Sequence, residues 1–186
     1  MLTHVLSLTL PLMMITGTGS SIDVAPTPST TSGTFQAYRP GATAITYDPA
    51  VVPAGASATL SISGTGYGTE VALTVTGLIG GRMYGAHLHT APCGADPDAS
   101  GPHYQNHPDP VTPSVNPVYA NARNEVWLDL TADASGSATS AATHGWSFRD
   151  AEPPRALVLH TEHTHTGTGE AGKAGARVAC LTLPGA

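Results

Sequence analysis

A chain of 186 residues, 40% hydrophobic and 11% charged, fits one domain with a sizeable core and some unstructured length left over. Seven Lys and Arg against 13 Asp and Glu leave a net charge of -6. That balance excludes a nucleic-acid binder working by counterion release, and it suits an anionic membrane surface no better.

The 21 glycines and 16 prolines, set among abundant Thr, Ser, Ala and Val, predict short strands joined by turns. Residues 5–15 form an apolar run followed by small residues at 16–21, the pattern of a secretory signal, here assigned to residues 1–20. No Lys or Arg precedes Arg39, so the usual positive start is missing. The run is too short for a membrane span. Residues 21–33 have the composition of a flexible linker, and the ordered domain is assigned to residues 34–186.

Strands are expected at residues 34–38, 43–47, 57–63 and 70–76, the last two from their alternation. A glycine-rich turn at 77–82 leads into residues 83–90. There His87 and His89 share a face with Met83 and Gly85, while Leu88 on the opposite face should point to the core and fix the register. Residues 91–124 carry seven prolines and no strand periodicity. So long a loop in a compact domain calls for a function or a clip, and Cys93 and His103 are the expected clips. Strands are expected again at 125–130, 137–143, 146–148, 156–161 and 175–183. The fold class is therefore all-β: a Greek-key β-sandwich or flattened β-barrel of about eight strands with long functional loops.

Two cysteines, Cys93 and Cys180, read either as buried thiols of a reducing compartment or as a disulfide of an exported protein. The chemistry lies in the histidines. Eight of the nine fall between positions 87 and 165. His87 and His89 at i, i+2 on one strand, with His160 closing another, form a metal-binding pattern. All-nitrogen ligation suits Cu(II) or Zn(II), and spacing does not choose between them.

The segments GAHLHTAPC, SGPHYQ, ALVLH and GEAGKAGARVACLTL, in this order, resemble the copper–zinc superoxide dismutase family over roughly residues 43–183. The resemblance implies that His87, His89, His103 and His160 bind one copper per chain, with superoxide as substrate. It also implies that Arg177 guides the anion, that His103 carries a proton to the product, and that Cys93 and Cys180 form the family's intrachain disulfide.

The departures fall on the zinc subsite. Only His107 follows His103 in the loop, the stretch VYANARNEV lacks the expected histidine and aspartate, and Asp96 and Asp109 sit at other spacings. The pattern is that of a copper-only member, with zinc absent. Without zinc, the second nitrogen of His103 needs another partner, and Glu162 is the candidate acceptor.

The counterpart of the family's electrostatic loop, residues 161–173, is short and has one cation, Lys173. His107, His163 and His165 are candidates for accessory metal ligation, and His144 at a turn is expected to be exposed. A secreted, periplasmic or cell-surface location follows, with an exported copper donor as the implied partner. The competing reading is an exported copper-binding or copper-buffering protein with little turnover. A non-catalytic barrel would need none of these residues. Arg177 favours catalysis over storage, since bound copper gains nothing from a neighbouring cation.

Overall fold

Nine strands make up the regular structure of the computed structural model, which describes residues 28–184. They are β1 (Ser29–Thr34), β2 (Ala44–Thr46), β3 (Ser57–Thr65), β4 (Gly68–Thr76), β5 (Met83–His89), β6 (Leu130–Thr131), β7 (Ala138–His144), β8 (Ala156–His160) and β9 (Arg177–Thr182). The assigned signal segment lies outside the described residues. One sheet runs β1-β3-β4-β7 and the other β2-β9-β8-β5-β6, all paired antiparallel. Neither sheet closes on itself, so the architecture is a sandwich and not a closed barrel.

The alternation read in β4 is the observed one. Val71, Leu73 and Val75 enter the core, while Glu70, Ala72 and Thr74 are exposed. They meet Tyr84, Ala86 and Leu88 of β5 with Leu157 and Leu159 of β8 in one apolar cluster. The outer face of β5 differs from a solvent-facing histidine strand. His87 and His89 are both fully buried, because the loops around residues 97–105 and 161–177 cover that face. Gly85 permits the approach: a Cβ there would lie 2.5 Å from the Glu162 carbonyl oxygen and 2.7 Å from Ala174 Cβ.

Three boundaries are corrected. Residues 29–33, read as linker, belong to β1, which pairs with β3 from Ser29↔Ile62 to Thr34↔Ser57. The segment STTSGT is polar on both faces, so backbone pairing at a sheet edge holds it without an apolar alternation to reveal it. Residues 125–129 make single bridges, His87↔Trp127 and Gln105↔Glu125, and only Leu130–Thr131 is a strand. Residues 146–148 form no strand; Trp146 and Phe148 pack with Tyr104, ring centroids 5.1–6.2 Å apart.

Cys93 and Cys180 are joined in a disulfide, with their Cα atoms 5.8 Å apart and 87 residues of sequence separation. Such bonds persist in oxidising compartments. Closing a loop of this length stabilises the fold by about 4–5 kcal/mol in the chain-entropy model. Urea unfolding of a Cys93→Ser/Cys180→Ser double variant should therefore show a lower midpoint by an amount up to this size. Leu88→Ala, which leaves a void between the sheets, should cost about 2–5 kcal/mol in the same measurement.

Candidate metal centre

Strand register builds the site from β5 and β8. Gly85 pairs with His160, His87 with Val158 and His89 with Ala156, so the three imidazoles share the outer face of one sheet. His103, in the loop after Cys93, bridges to His89 and brings the fourth ring. One potential ligand atom from each of His87, His89, His103 and His160 lies within 4.8 Å of the others, and no other group of three or more His, Cys, Asp or Glu converges among the described residues.

Hydrogen bonds assign the tautomers. His89 Nδ1 donates to the Gly101 carbonyl at 2.9 Å, and His160 Nδ1 faces the Gly175 carbonyl at 3.4 Å. A carbonyl can only accept, so both rings carry hydrogen on Nδ1 and a bare lone pair on Nε2. His103 Nδ1 donates to Glu125 Oε2 at 2.8 Å, which again leaves Nε2 bare. His87 is reversed. The Thr164 hydroxyl donates to Asp129 Oδ1 at 2.7 Å, so it accepts from His87 Nε2–H at 2.6 Å. His87 Nδ1 is then bare, buried and without any partner.

Four nitrogen lone pairs thus face a common point, and the two of His89 and His160 stand 3.4 Å apart with no hydrogen between them. Lone pairs this close repel unless a cation lies among them. Burial, then the neighbouring imidazoles His103 and His160, holds His87 and His89 well below the usual histidine range. Burial and His103 bring His160 down to about 3. The donor set fits a borderline divalent or a cuprous ion, and every ring is oriented by an outer acceptor.

A β-bulge delivers Arg177. The pairing of β8 with β9 slips between Leu159 and His160, so His160 pairs with Arg177 and Val178 is the extra residue. The guanidinium is fixed from the other side: Nη1 donates to the Pro97 carbonyl (3.1 Å) and to Ser100 Oγ (2.9 Å), and Nε lies 3.6 Å from Asp98. These partners sit in and beside the 3₁₀ turn Pro97–Ser100, which the disulfide ties to β9. Burial lowers the Arg177 pKa, opposed by Asp98, but an arginine keeps its proton at neutral pH. Arg177, His103 and His160 open on one cavity of about 450 Å³.

The residue missed from sequence is Glu125. It is 2% exposed, and its carboxylate receives His103 Nδ1, Gln105 Nε2 and Trp127 Nε1 at 2.7–2.8 Å. Glu162, the expected partner of His103, instead lies 3.2 Å from His165. An acidic residue opening EVWLDL was the available signal, but only the bridge between residues 105 and 125 shows that it turns toward His103.

The accessory candidates do not assemble. His163 Nε2 lies 3.1 Å from the Leu130 carbonyl, His165 faces Glu162 and Glu170, and His107 is exposed in the loop. Asp109 accepts from Val111 N–H and the Ser114 hydroxyl. His144 corrects the expectation of exposure: it is 6% exposed, because the last residue of β7 pairs with Thr69 and the Trp146 ring covers it at 4.4 Å.

The sandwich with an all-histidine cage on its outer face has the fold of copper/zinc superoxide dismutase. Over 84% of this chain and all of the other, it is similar to the Cu/Zn superoxide dismutase from Brucella abortus, with a TM-score of 0.55 at 19% identity. A mutant of a SOD-like protein from Bacillus subtilis gives a TM-score of 0.52 at 19% identity over 68% of this chain and 88% of that one. A double mutant of a Bacillus subtilis SOD-like protein gives 0.51 at 20% identity, covering 67% and 87%. No protein-family model and no curated protein matches the chain.

Two outcomes follow for the cage. Buried neutral histidines bind fewer protons folded than unfolded, so their contribution to stability is complete above the unfolded value of about 6.5 and is lost as pH falls toward the lowered folded values. Urea midpoints of the metal-free chain should fall steadily from about pH 6.5 to about pH 4 and level off above about 7. Glu125→Gln, which removes the charge from the acceptor of His103, should weaken Cu(II) affinity about 10–100-fold in a chelator competition.

Proposed function

We propose that this chain is a copper-dependent superoxide dismutase of an exported compartment, converting two superoxide anions and two protons into dioxygen and hydrogen peroxide. The observation that carries the reading is the convergence of four bare imidazole nitrogens beside a fixed guanidinium. His87 would hold copper through Nδ1, and His89, His103 and His160 through Nε2. Bound copper supplies one-electron exchange with successive superoxide ions, which zinc in an all-nitrogen cage would not.

The remaining work belongs to the chain. Arg177 attracts and orients the anion at the mouth, and it neither titrates nor changes redox state. His103, with 17% of its side chain exposed, is the cage member best placed to take a proton from solvent and pass it to the product. Glu125 keeps the His103 ring in the orientation that aims Nε2 inward. Its hold on His103 Nδ1 occupies the nitrogen that a bridging zinc would need, which supports a copper-only centre. The Thr164–Asp129 pair does the same positioning work for His87. The disulfide supports residence outside the reducing cytosol, with copper supplied there by a donor protein.

Pulse-radiolysis turnover of protein loaded with copper alone, with metal content measured on the same sample, tests the proposal. Fast turnover at one copper per chain, reduced at least about tenfold in Arg177→Ala, is the expected result. Tight copper with rates no better than the free aquo ion would move the assignment to copper binding or buffering. His103→Gln should lower the rate and shift its pH profile; an unchanged profile would remove His103 from proton delivery.

A further inference from the structure

The cavity onto which the cage opens is far larger than superoxide requires. A diatomic anion is about the size of a water molecule, whose share of liquid volume is about 30 Å³, whereas the cavity measures about 450 Å³. That volume lies within the roughly 300–1,000 Å³ of sites that bury small organic molecules. Its lining includes Pro108, Pro113 and Val115 of the long loop, and Ala174 and Gly175 beside Arg177. Superoxide makes no use of apolar lining residues.

The polar groups at the cavity divide into engaged and unengaged. The carboxylates are engaged: Glu125 accepts from His103, Gln105 and Trp127, and Asp109 from Ser114 and Val111. Arg149 and Arg177 are each partly engaged: Arg149 through Nε with Glu152 and through Nη1 with the Gln105 and Asn106 carbonyls, Arg177 through Nη1 with Pro97 and Ser100 and with Nε near Asp98, and Nη2 of both makes no hydrogen bond. Among the described residues Lys173 makes no ion pair. Three cationic side chains against two carboxylates, together with Pro108, Pro113 and Val115, fit a ligand with an anionic head and an apolar body.

We propose that this cavity binds small organic carboxylates, the carboxylate held at Arg177 and Lys173 and the apolar body seated against Pro108, Pro113 and Val115. Binding requires no metal. Only its consequence for turnover, exclusion of superoxide from the mouth, rests on the dismutase reading.

Benzoate is the probe, titrated calorimetrically into the metal-free full-length chain and then into the copper-loaded protein. Saturable one-to-one binding is expected, at least about tenfold tighter than acetate because the ring is buried against the apolar lining residues. Val115→Trp, which fills the cavity, should abolish it, and Lys173→Ala should weaken it by about 3–10-fold. Thr112→Trp fills the same cavity from a second position and serves if Val115→Trp does not fold. Azide, small enough to reach copper past the filled wall, should bind the copper-loaded Val115→Trp variant as it binds the parent. Absence of saturable benzoate binding, equal affinity for acetate, or binding unchanged in both filling variants would overturn the inference. Benzoate binding in a protein without turnover would leave this site standing and remove the dismutase reading. Turnover without benzoate binding would do the reverse.

Discussion

Four imidazoles, each with a nitrogen within 4.8 Å of the others in a largely buried cage, are the constraint on which the rest of the structure turns. A neutral imidazole has one donor and one acceptor, so fixing the donor fixes where the acceptor points. Here every donor is fixed outward: His89 and His160 on backbone carbonyls, His103 on Glu125, and His87 on the Thr164–Asp129 relay. For His87, His89 and His160, burial removes the alternative of relieving the repulsion by protonation near neutral pH. What remains is affinity for a cation, built into the fold before any ion arrives.

The outer acceptors come from separate parts of the chain, and each is secured by its own local chemistry. Gly101 supplies its carbonyl from a φ of 72°, a left-handed conformation that a side-chain-bearing residue would adopt only with strain. Glu125 sits in a buried network with Gln105 and Trp127 whose members satisfy one another, and Gln105 in turn accepts from the Asp109 backbone. The long proline-rich loop is therefore no slack connection. It is clipped by the disulfide at its start, by His103 at the cage and by Asn124 at its end, where the amide bonds the backbone of His107 on both sides.

Arg177 shows how a distant covalent bond bears on a site. The disulfide joins Cys180 of β9 to the segment that leads into the 3₁₀ turn, and this turn presents the Pro97 carbonyl and the Ser100 hydroxyl to the guanidinium. The β-bulge then places Arg177 opposite His160. Fold stability and the position of Arg177 are thus tied to the same bond.

Residue pattern was enough for the all-β class, the alternation of β4 and the histidine pair on β5, which period-two patterning carries. The set of four histidines came from the resemblance of short motifs to the copper–zinc superoxide dismutase family. Residue pattern did not reveal β1, whose polar face leaves no alternation, or the burial of His144 beneath Trp146. It placed the partner of His103 at Glu162 because that residue follows His160 by two positions, whereas the fold supplies Glu125 across a bridge from Gln105. Only the folded chain shows which nitrogen of each imidazole faces inward, that Arg177 lies opposite His160, and that the mouth opens on a cavity of about 450 Å³. The reason is common to all of these. Hydrogen-bond partners, bulges and cavities arise where segments far apart in sequence meet, and local residue pattern carries no record of that meeting.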